Sequence, residues 1–259
     1  MIRWAVFTDL DGTLLDSATF DFEPARPMLE RLRAAKVPVI PVTSKTFDEV
    51  EPLVPELGLH HALIVESGGG IARRDGDRWI LESTGPSSDD LRVAIKEIEH
   101  RAGARIVCYS AMDAASAAWY SGLTGQSLEL SQRRRFSEPF IIEAGAPEDV
   151  IGAATAIGLR ARRGGRFLHL GGTAGKGDAV ARIREELGHD LTMAALGDAP
   201  MDAEFLALAD IPIIIPRRDG IPDPELVLRV PRARVAPAPG PAGWAAAVEA
   251  VWLEVGSAQ

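Results

Sequence analysis

The sequence predicts an α/β protein, and three observations carry that expectation. Short apolar runs alternate with helical stripes from residue 4 to residue 65, the pattern breaks after Gly68-Gly69-Gly70, and the strand–helix rhythm resumes from about residue 176. Strands that alternate with helices through short connections build βαβ units and a parallel sheet.

Residues 4–8 read as a buried strand ending at Asp9. Met28, Leu29 and Leu32 stand at helical spacing, residues 37–42 form a second strand, and Phe47, Val50, Leu53, Val54 and Leu57 make a second helical stripe. Residues 62–65 are a third strand, and residues 71–81, with Asp75-Gly76 between two β-like runs, read as a hairpin. The order then becomes helix 88–101, strand 105–109, a small-residue helix 112–120, strand 139–143, helix 147–157 and closing strands 159–163 and 166–170. A helix at 176–187, a strand at 193–196, a helix at 202–209 and a strand at 211–215 follow. A last helix carries Trp244, Val248, Val251 and Trp252. The simplest account is a Rossmann-like parallel-sheet core, residues 1–84 and 171–259, with an α+β domain, residues 85–170, inserted between its halves.

Composition narrows the function. The 259 residues are 46% hydrophobic and 25% charged, which suits a globule with a sizeable core. The formal charge of −9 argues against a general nucleic-acid binder. The single cysteine, Cys108, excludes an internal disulfide and favours a reducing compartment; in its apolar run it reads as core, not nucleophile. The apolar start meets Asp9 and Asp11 too early for a signal peptide, and the apolar stretches near 114–128 and 235–248 are interrupted by polar residues or by Pro and Gly. A cytoplasmic protein without membrane or nucleic-acid partners, monomeric or homodimeric, is the expectation.

The most informative segment is Asp9-Leu10-Asp11-Gly12-Thr13. Two carboxylates two residues apart, where a strand gives way to a glycine turn, share one pocket because the chain leaves its pleat there. One carboxylate can attack phosphorus while the other protonates the leaving alcohol and later deprotonates water. Alone, such a motif is equally a capped turn. Its context supplies the remaining groups at corresponding strand ends. Thr43 and Ser44 offer a hydroxyl and an amide for a phosphate oxygen. Lys176, at a helix start, offers a cation for the phosphoryl group or the nucleophile. Asp198 follows a strand, and Asp202 stands four residues on, able to complete a cation site directly or through water. Magnesium takes octahedral oxygen ligation, which Asp9, Asp198 and the main-chain carbonyl of Asp11 fit.

The set Asp9/Asp11, Thr43, Lys176 and Asp198/Asp202 resembles the four motifs of the haloacid dehalogenase superfamily of phosphohydrolases. An insert after the third strand resembles the subgroup with an α+β C2-type cap. The resemblance implies that Asp9 is the nucleophile, Asp11 the general acid/base, Thr43 and Lys176 the phosphate binders, and Asp198 with Asp202 the magnesium pole. A narrower resemblance, to the mannosyl-3-phosphoglycerate phosphatase family, rests on several strings. They are residues 42–46 (Val-Thr-Ser-Lys-Thr), 66–70 (Glu-Ser-Gly-Gly-Gly), 135–140 (Arg-Phe-Ser-Glu-Pro-Phe), 164–169 (Gly-Gly-Arg-Phe-Leu-His) and 239–244 (Pro-Gly-Pro-Ala-Gly-Trp). Ser67 stands where that family usually has Asn, and Met201 precedes Asp202 where Asn is usual.

A glycosyl-3-phosphoglycerate carries a phosphate, a carboxylate and a sugar, so it calls for cations and polar groups beyond the phosphate site. Guanidinium binds carboxylate bidentately, and the insert offers Arg133, Arg134, Arg135 and Arg166; Arg135 or Arg166 is expected to reach the carboxylate, with Ser137, Glu138 and His169 on glyceryl or sugar hydroxyls. The run Arg133-Arg134-Arg135 also reads as a solvated face. Arg166 and Leu168 share one face of a strand and Phe167 and His169 the other, so Arg166 and His169 cannot both face the site without a bend. Lys45 is either a further phosphate contact or a helix-start lysine. The implied reaction is hydrolysis of mannosyl- or glucosyl-3-phosphoglycerate to the glycosylglycerate, an osmolyte. A phosphatase for trehalose or sucrose phosphates, a sugar phosphomutase and a non-catalytic phosphosugar-binding protein are the competing readings.

Overall fold

The computed structural model describes residues 4–164, 166–188 and 190–257. Strand β1 (Trp4–Thr8) is followed by α1 (Arg26–Ala34) and β2 (Val39–Pro41). The stripe predicted as one helix over 47–57 is two, α2 (Phe47–Val50) and α3 (Val54–Leu57), joined by a 3-10 turn. Pro52 and Pro55 explain the break, since neither has an N–H to continue the helical ladder. Strands β3 (Ala62–Val65), β4 (Gly70–Asp75) and β5 (Arg78–Ser83) form a three-stranded antiparallel sheet. It adjoins β2 through a parallel bridge between Val42 and Ile64.

The middle of the chain runs α4 (Ser88–Ala102), β6 (Arg105–Cys108), α5 (Ala114–Ser121), α6 (Gly125–Gln132), β7 (Glu138–Ala144), α7 (Pro147–Ala156), β8 (Arg160–Gly164) and β9 (Phe167–Gly171). Its four strands pair antiparallel in the order β6-β7-β9-β8. Leu91, Ile95 and Ile98 of α4 and Val150 and Ala154 of α7 pack with Phe140, Leu168 and Leu170 in one apolar cluster. Helix α6 escaped the sequence reading because its apolar residues, Leu128 and Leu130, are too few to make a stripe.

The chain then returns through α8 (Lys176–Leu187), β10 (Thr192–Gly197), α9 (Ala203–Leu206), β11 (Ile211–Ile214), α10 (Pro224–Arg229), β12 (Arg234–Val235) and α11 (Gly240–Ser257). The expected helix at 202–209 is a single α-helical turn after a 3-10 turn at Pro200–Asp202, and α10 and β12 had no sequence signal. A five-stranded parallel sheet has the order β12-β11-β10-β1-β2. Alternate β1 residues enter opposite apolar clusters, Trp4 and Val6 on one face and Ala5 and Phe7 on the other, as a strand covered on both faces requires. Trp244 of α11 is fully buried and donates its indole N–H to Thr8 Oγ1 at 3.0 Å, which braces the end of β1.

Candidate active site

At the carboxyl edge of the parallel sheet, backbone hydrogen bonds hold the strand ends in register. Asp9 N–H donates to the Leu196 carbonyl, Val42 N–H to the Thr8 carbonyl and Thr43 N–H to the Ile64 carbonyl. Asp9, Thr43 and Asp198 are thereby set side by side at the edge where open α/β sheets bind ligands. Gly12 turns the chain at φ +84°, and a Cβ there would lie 2.5 Å from Asp198 Oδ2, so only glycine lets the β1 and β10 loops approach this closely.

Lys176 opens α8, with its ammonium buried between two carboxylates. Its Nζ donates to Asp9 Oδ1 at 2.7 Å and to Asp202 Oδ1 at 2.6 Å. Burial opposes its charge, yet Asp202 and Asp9 outweigh that cost and hold the ammonium above its usual range. The other oxygen of Asp202 accepts the backbone N–H groups of Asp198 and Ala199, both at 3.0 Å. Asp202 thus orients both the lysine and the Asp198 loop, with each carboxylate oxygen already engaged. Thr13 Oγ1 donates to Asp198 Oδ1 at 3.1 Å.

One carboxylate oxygen from each of Asp9, Asp198 and Asp202 falls within 4.8 Å of the others. Three carboxylates face one lysine here, and the imbalance is visible in the proton affinities of Asp9 and Asp198. Asp9 is pushed up to about 7, first by burial and then by Asp202 and Asp11, even with the Lys176 ammonium against it. Asp198 is raised well above the carboxylate range by burial and by Asp9 and Asp202. A buried cluster of hard oxygen donors short of positive charge fits a divalent cation.

Asp11 stands one step toward solvent. Its Oδ2 pairs with Lys45 Nζ at 3.0 Å, while its buried Oδ1 has no hydrogen-bond partner among the described residues. Lys45 also lies 3.7 Å from Glu49 and 4.7 Å from the centre of the Phe20 ring. Burial works against its charge, and Asp11 and Glu49 overcome that to raise its proton affinity. Thr43 is buried, and its Oγ1 accepts the Lys45 amide.

A cavity of about 440 Å³ opens beside Asp11, Ser44 and Lys45. Its far wall comes from the middle of the chain and includes Tyr109, Arg134, Phe167 and His169. Tyr109 and Phe167 pack with ring centroids 5.0 Å apart. Burial, with Arg134 next, lowers His169 to about 3, so the imidazole is neutral; its buried Nδ1 has no hydrogen-bond partner among the described residues.

The other residues expected to contact substrate lie elsewhere. Arg135 is exposed and donates to Asp48 at 2.8 Å, and Arg166 donates to the Tyr120 carbonyl at 3.0 Å. Ser137 is buried and donates to Glu66. Glu138 is buried and accepts from the Ser110 amide and hydroxyl. None of these four lines the cavity. Cys108 is half-buried, its thiol raised to about 11 by burial and Glu138, which suits packing and not nucleophilic attack.

The residue that joins the two walls is Glu66, which sequence reasoning placed only inside a string. With φ at 49° and its carboxylate fully buried, it accepts the backbone N–H groups of Arg135 and Phe136 and the Ser137 hydroxyl, at 2.7 to 3.0 Å. Its own N–H donates to the Lys45 carbonyl, and the neighbouring Ser67 N–H to the Thr43 carbonyl.

The chain matches the haloacid dehalogenase-like hydrolase family over residues 6–143. It is 34% identical to a glucosyl-3-phosphoglycerate/mannosyl-3-phosphoglycerate phosphatase of Methanococcoides burtonii, covering 94% of this chain and 95% of that protein. It is 33% identical to a phosphatase of the same description from Persephonella marina, covering 95% of each. A phosphatase of the haloalkanoate (HAD) enzyme superfamily from Bacteroides thetaiotaomicron shares the fold with a TM-score of 0.71 at 13% identity, over 98% of this chain and 96% of that one.

Proposed function

The chain belongs to the haloacid dehalogenase-like hydrolases, and on that premise we propose that it hydrolyses glucosyl- or mannosyl-3-phosphoglycerate to the glycosylglycerate and phosphate. The observation that carries the chemistry is the Asp9/Asp11 pair: one carboxylate is bound to a buried ammonium, and the other lines the cavity and keeps one buried oxygen without a hydrogen-bond partner among the described residues. Relatives covering nearly the whole chain support the substrate class.

In the proposed sequence, a carboxylate oxygen of Asp9 attacks phosphorus and the ester P–O bond breaks. Asp11 gives its proton to the departing glyceryl oxygen. Water then attacks phosphorus of the Asp9 aspartyl phosphate while Asp11 takes a proton from that water; the P–O bond to Asp9 breaks, and phosphate leaves with the Asp9 carboxylate restored. Lys176 holds Asp9 in place and meets the charge of the incoming phosphoryl group. Thr43 and Ser44 stand where a phosphoryl oxygen needs donors. Family members use a metal ion; our reading assigns it to Asp9 and Asp198, with magnesium as the proposed metal, and the clustered carboxylates support that assignment. Bound there, it would offset phosphoryl charge. Asp202 acts by orienting Lys176 and the Asp198 loop.

We read residues 85–170 as a cap whose wall faces the leaving group. No helix among the described residues is long and apolar enough to cross a membrane, and a cytoplasmic site of action is part of the proposal. The test is phosphate release with magnesium from glucosyl- and mannosyl-3-phosphoglycerate, 3-phosphoglycerate, trehalose 6-phosphate and mannose 6-phosphate. Preference for the two glycosyl substrates supports the reading. Equal release from all five, or release only with a sugar bisphosphate present, overturns it.

A further inference from the structure

We propose that Arg134 recognises the carboxylate of the leaving group and so sets the preference for phosphoglycerate-type substrates over other phosphorylated sugars. This rests on the phosphatase reading above. Among the candidate cap arginines 133, 134, 135 and 166, Arg134 alone lines the cavity. Its side chain is 5% exposed, and among the described residues its hydrogen bonds run through Nη2 alone, to the Ser44 carbonyl at 2.9 Å and the Ser137 hydroxyl at 2.8 Å. The buried Nε has no hydrogen-bond acceptor among the described residues; the nearest carboxylate oxygen, of Glu66, is 3.5 Å away.

The other cations near this wall are already committed. Arg133 and Arg135 face Asp48, Arg166 takes the Tyr120 carbonyl, and Lys45 sits between Asp11 and Glu49. Glu66 supplies the counter-charge that lets Arg134 stay buried without ligand, while its own oxygens serve the Arg135 and Phe136 amides and the Ser137 hydroxyl.

Position fits the task. Arg134 is hydrogen-bonded to the residue that follows Thr43, so a ligand with its phosphoryl group at Asp9 and Thr43 carries its leaving group past this guanidinium. In a 3-phosphoglycerate the carboxyl carbon is only two carbons removed from the phosphoester carbon. A planar guanidinium is the side chain best shaped for a carboxylate, and here Nη1 makes no hydrogen bond among the described residues. The Tyr109–Phe167 pair lines the same wall and offers an apolar face to the glycosyl ring.

The experiment compares kcat/KM of wild type, Arg134→Lys and Arg134→Gln on glucosyl-3-phosphoglycerate and on glucosylglycerol 3-phosphate, which lacks the carboxylate. The expected result is a fall of at least about tenfold in the ratio between the two substrates for Arg134→Gln, expressed in KM, with Arg134→Lys intermediate. Equal proportional losses on both substrates would overturn the proposal, because Arg134 would then only brace the Ser44 loop. Arg134→Lys keeps a charge against Glu66 and carries the comparison should Arg134→Gln fail to fold; an unchanged ratio in it would overturn the proposal as well. Failure of wild type to release phosphate from glucosyl-3-phosphoglycerate would instead remove the functional reading itself, without reference to any variant.

Discussion

Lys45 Nζ lies 3.0 Å from Asp11 Oδ2, so the second carboxylate of the Asp9/Asp11 pair is anchored to the loop that follows β2. That contact links the proposed acid/base to the loop carrying Thr43 and Ser44, through a lysine that is itself mostly buried.

Replacing Lys45 with Met should therefore slow turnover by roughly ten- to a hundredfold, a share of the 10²–10⁴-fold that a positioned acid/base typically contributes. Lys45→Arg should recover part of the loss. Steady-state kcat on the best substrate of the panel checks this; an unaltered kcat in Lys45→Met would show that the ion pair does not orient Asp11.

Asp9→Asn removes the proposed attacking oxygen while keeping the shape of the side chain. Turnover should fall by roughly 10⁴-fold or more, as losses of nucleophiles do. The thermal midpoint should hold, because a carboxylate pushed up to about 7 by burial and by its acidic neighbours is not a favourable buried charge. Phosphate release and a melting curve on one preparation test both halves, and steady turnover by the variant would rule out Asp9 as nucleophile.

Asp202 is fully buried and serves Lys176 with one oxygen and two backbone amides with the other. Truncation to Ala strands part of a buried ion pair, a change that typically costs about 3–5 kcal/mol. Denaturant unfolding should report a loss of that order. A loss under about 1 kcal/mol, the scale of an exposed pair, would mean that the Lys176–Asp202 contact is not a firm one in solution.

His169 supplies a pH test. Its proton affinity in the fold is lowered to about 3, against an ordinary 6.5, chiefly by burial. Between those values the unfolded chain takes up a proton that the folded chain refuses. Stability is therefore lost as pH falls from about 6.5 toward 3, by at most about 1.4 kcal/mol per pH unit for this one group. His169→Gln should flatten that acid limb relative to wild type. Parallel unfolding free energies from pH 6.5 to 4 in the two proteins would show that His169 protonates freely in the fold.

Removing divalent cations with a chelator should abolish phosphate release, and added magnesium should restore it. Asp198→Asn should raise the magnesium concentration needed for half-maximal rate by about tenfold or more, since losing even a group that supports a metal ligand typically costs that much affinity. Activity that survives exhaustive chelation would exclude the cation role of the Asp9–Asp198 cluster.

The sequence by itself determined the parallel-sheet fold class and singled out Asp9, Asp11, Thr43, Lys176, Asp198 and Asp202. Each of these stands where a short-range signal is strong: an apolar strand, a glycine or a helix start, then the polar residue. Ends of neighbouring parallel strands lie together whatever the rest of the chain does, so local readings added up to a spatial one. Tertiary structure alone decided which arginine meets the cavity. Arg133, Arg134 and Arg135 lie on a bend between α6 and β7, where no helical or strand period assigns a face, and long side chains turn toward whichever carboxylate or carbonyl is nearest. Asp48 draws two of them to the surface and Glu66 holds the third inside. Those carboxylates lie 68 to 87 residues away along the chain, a separation that only the packed fold closes.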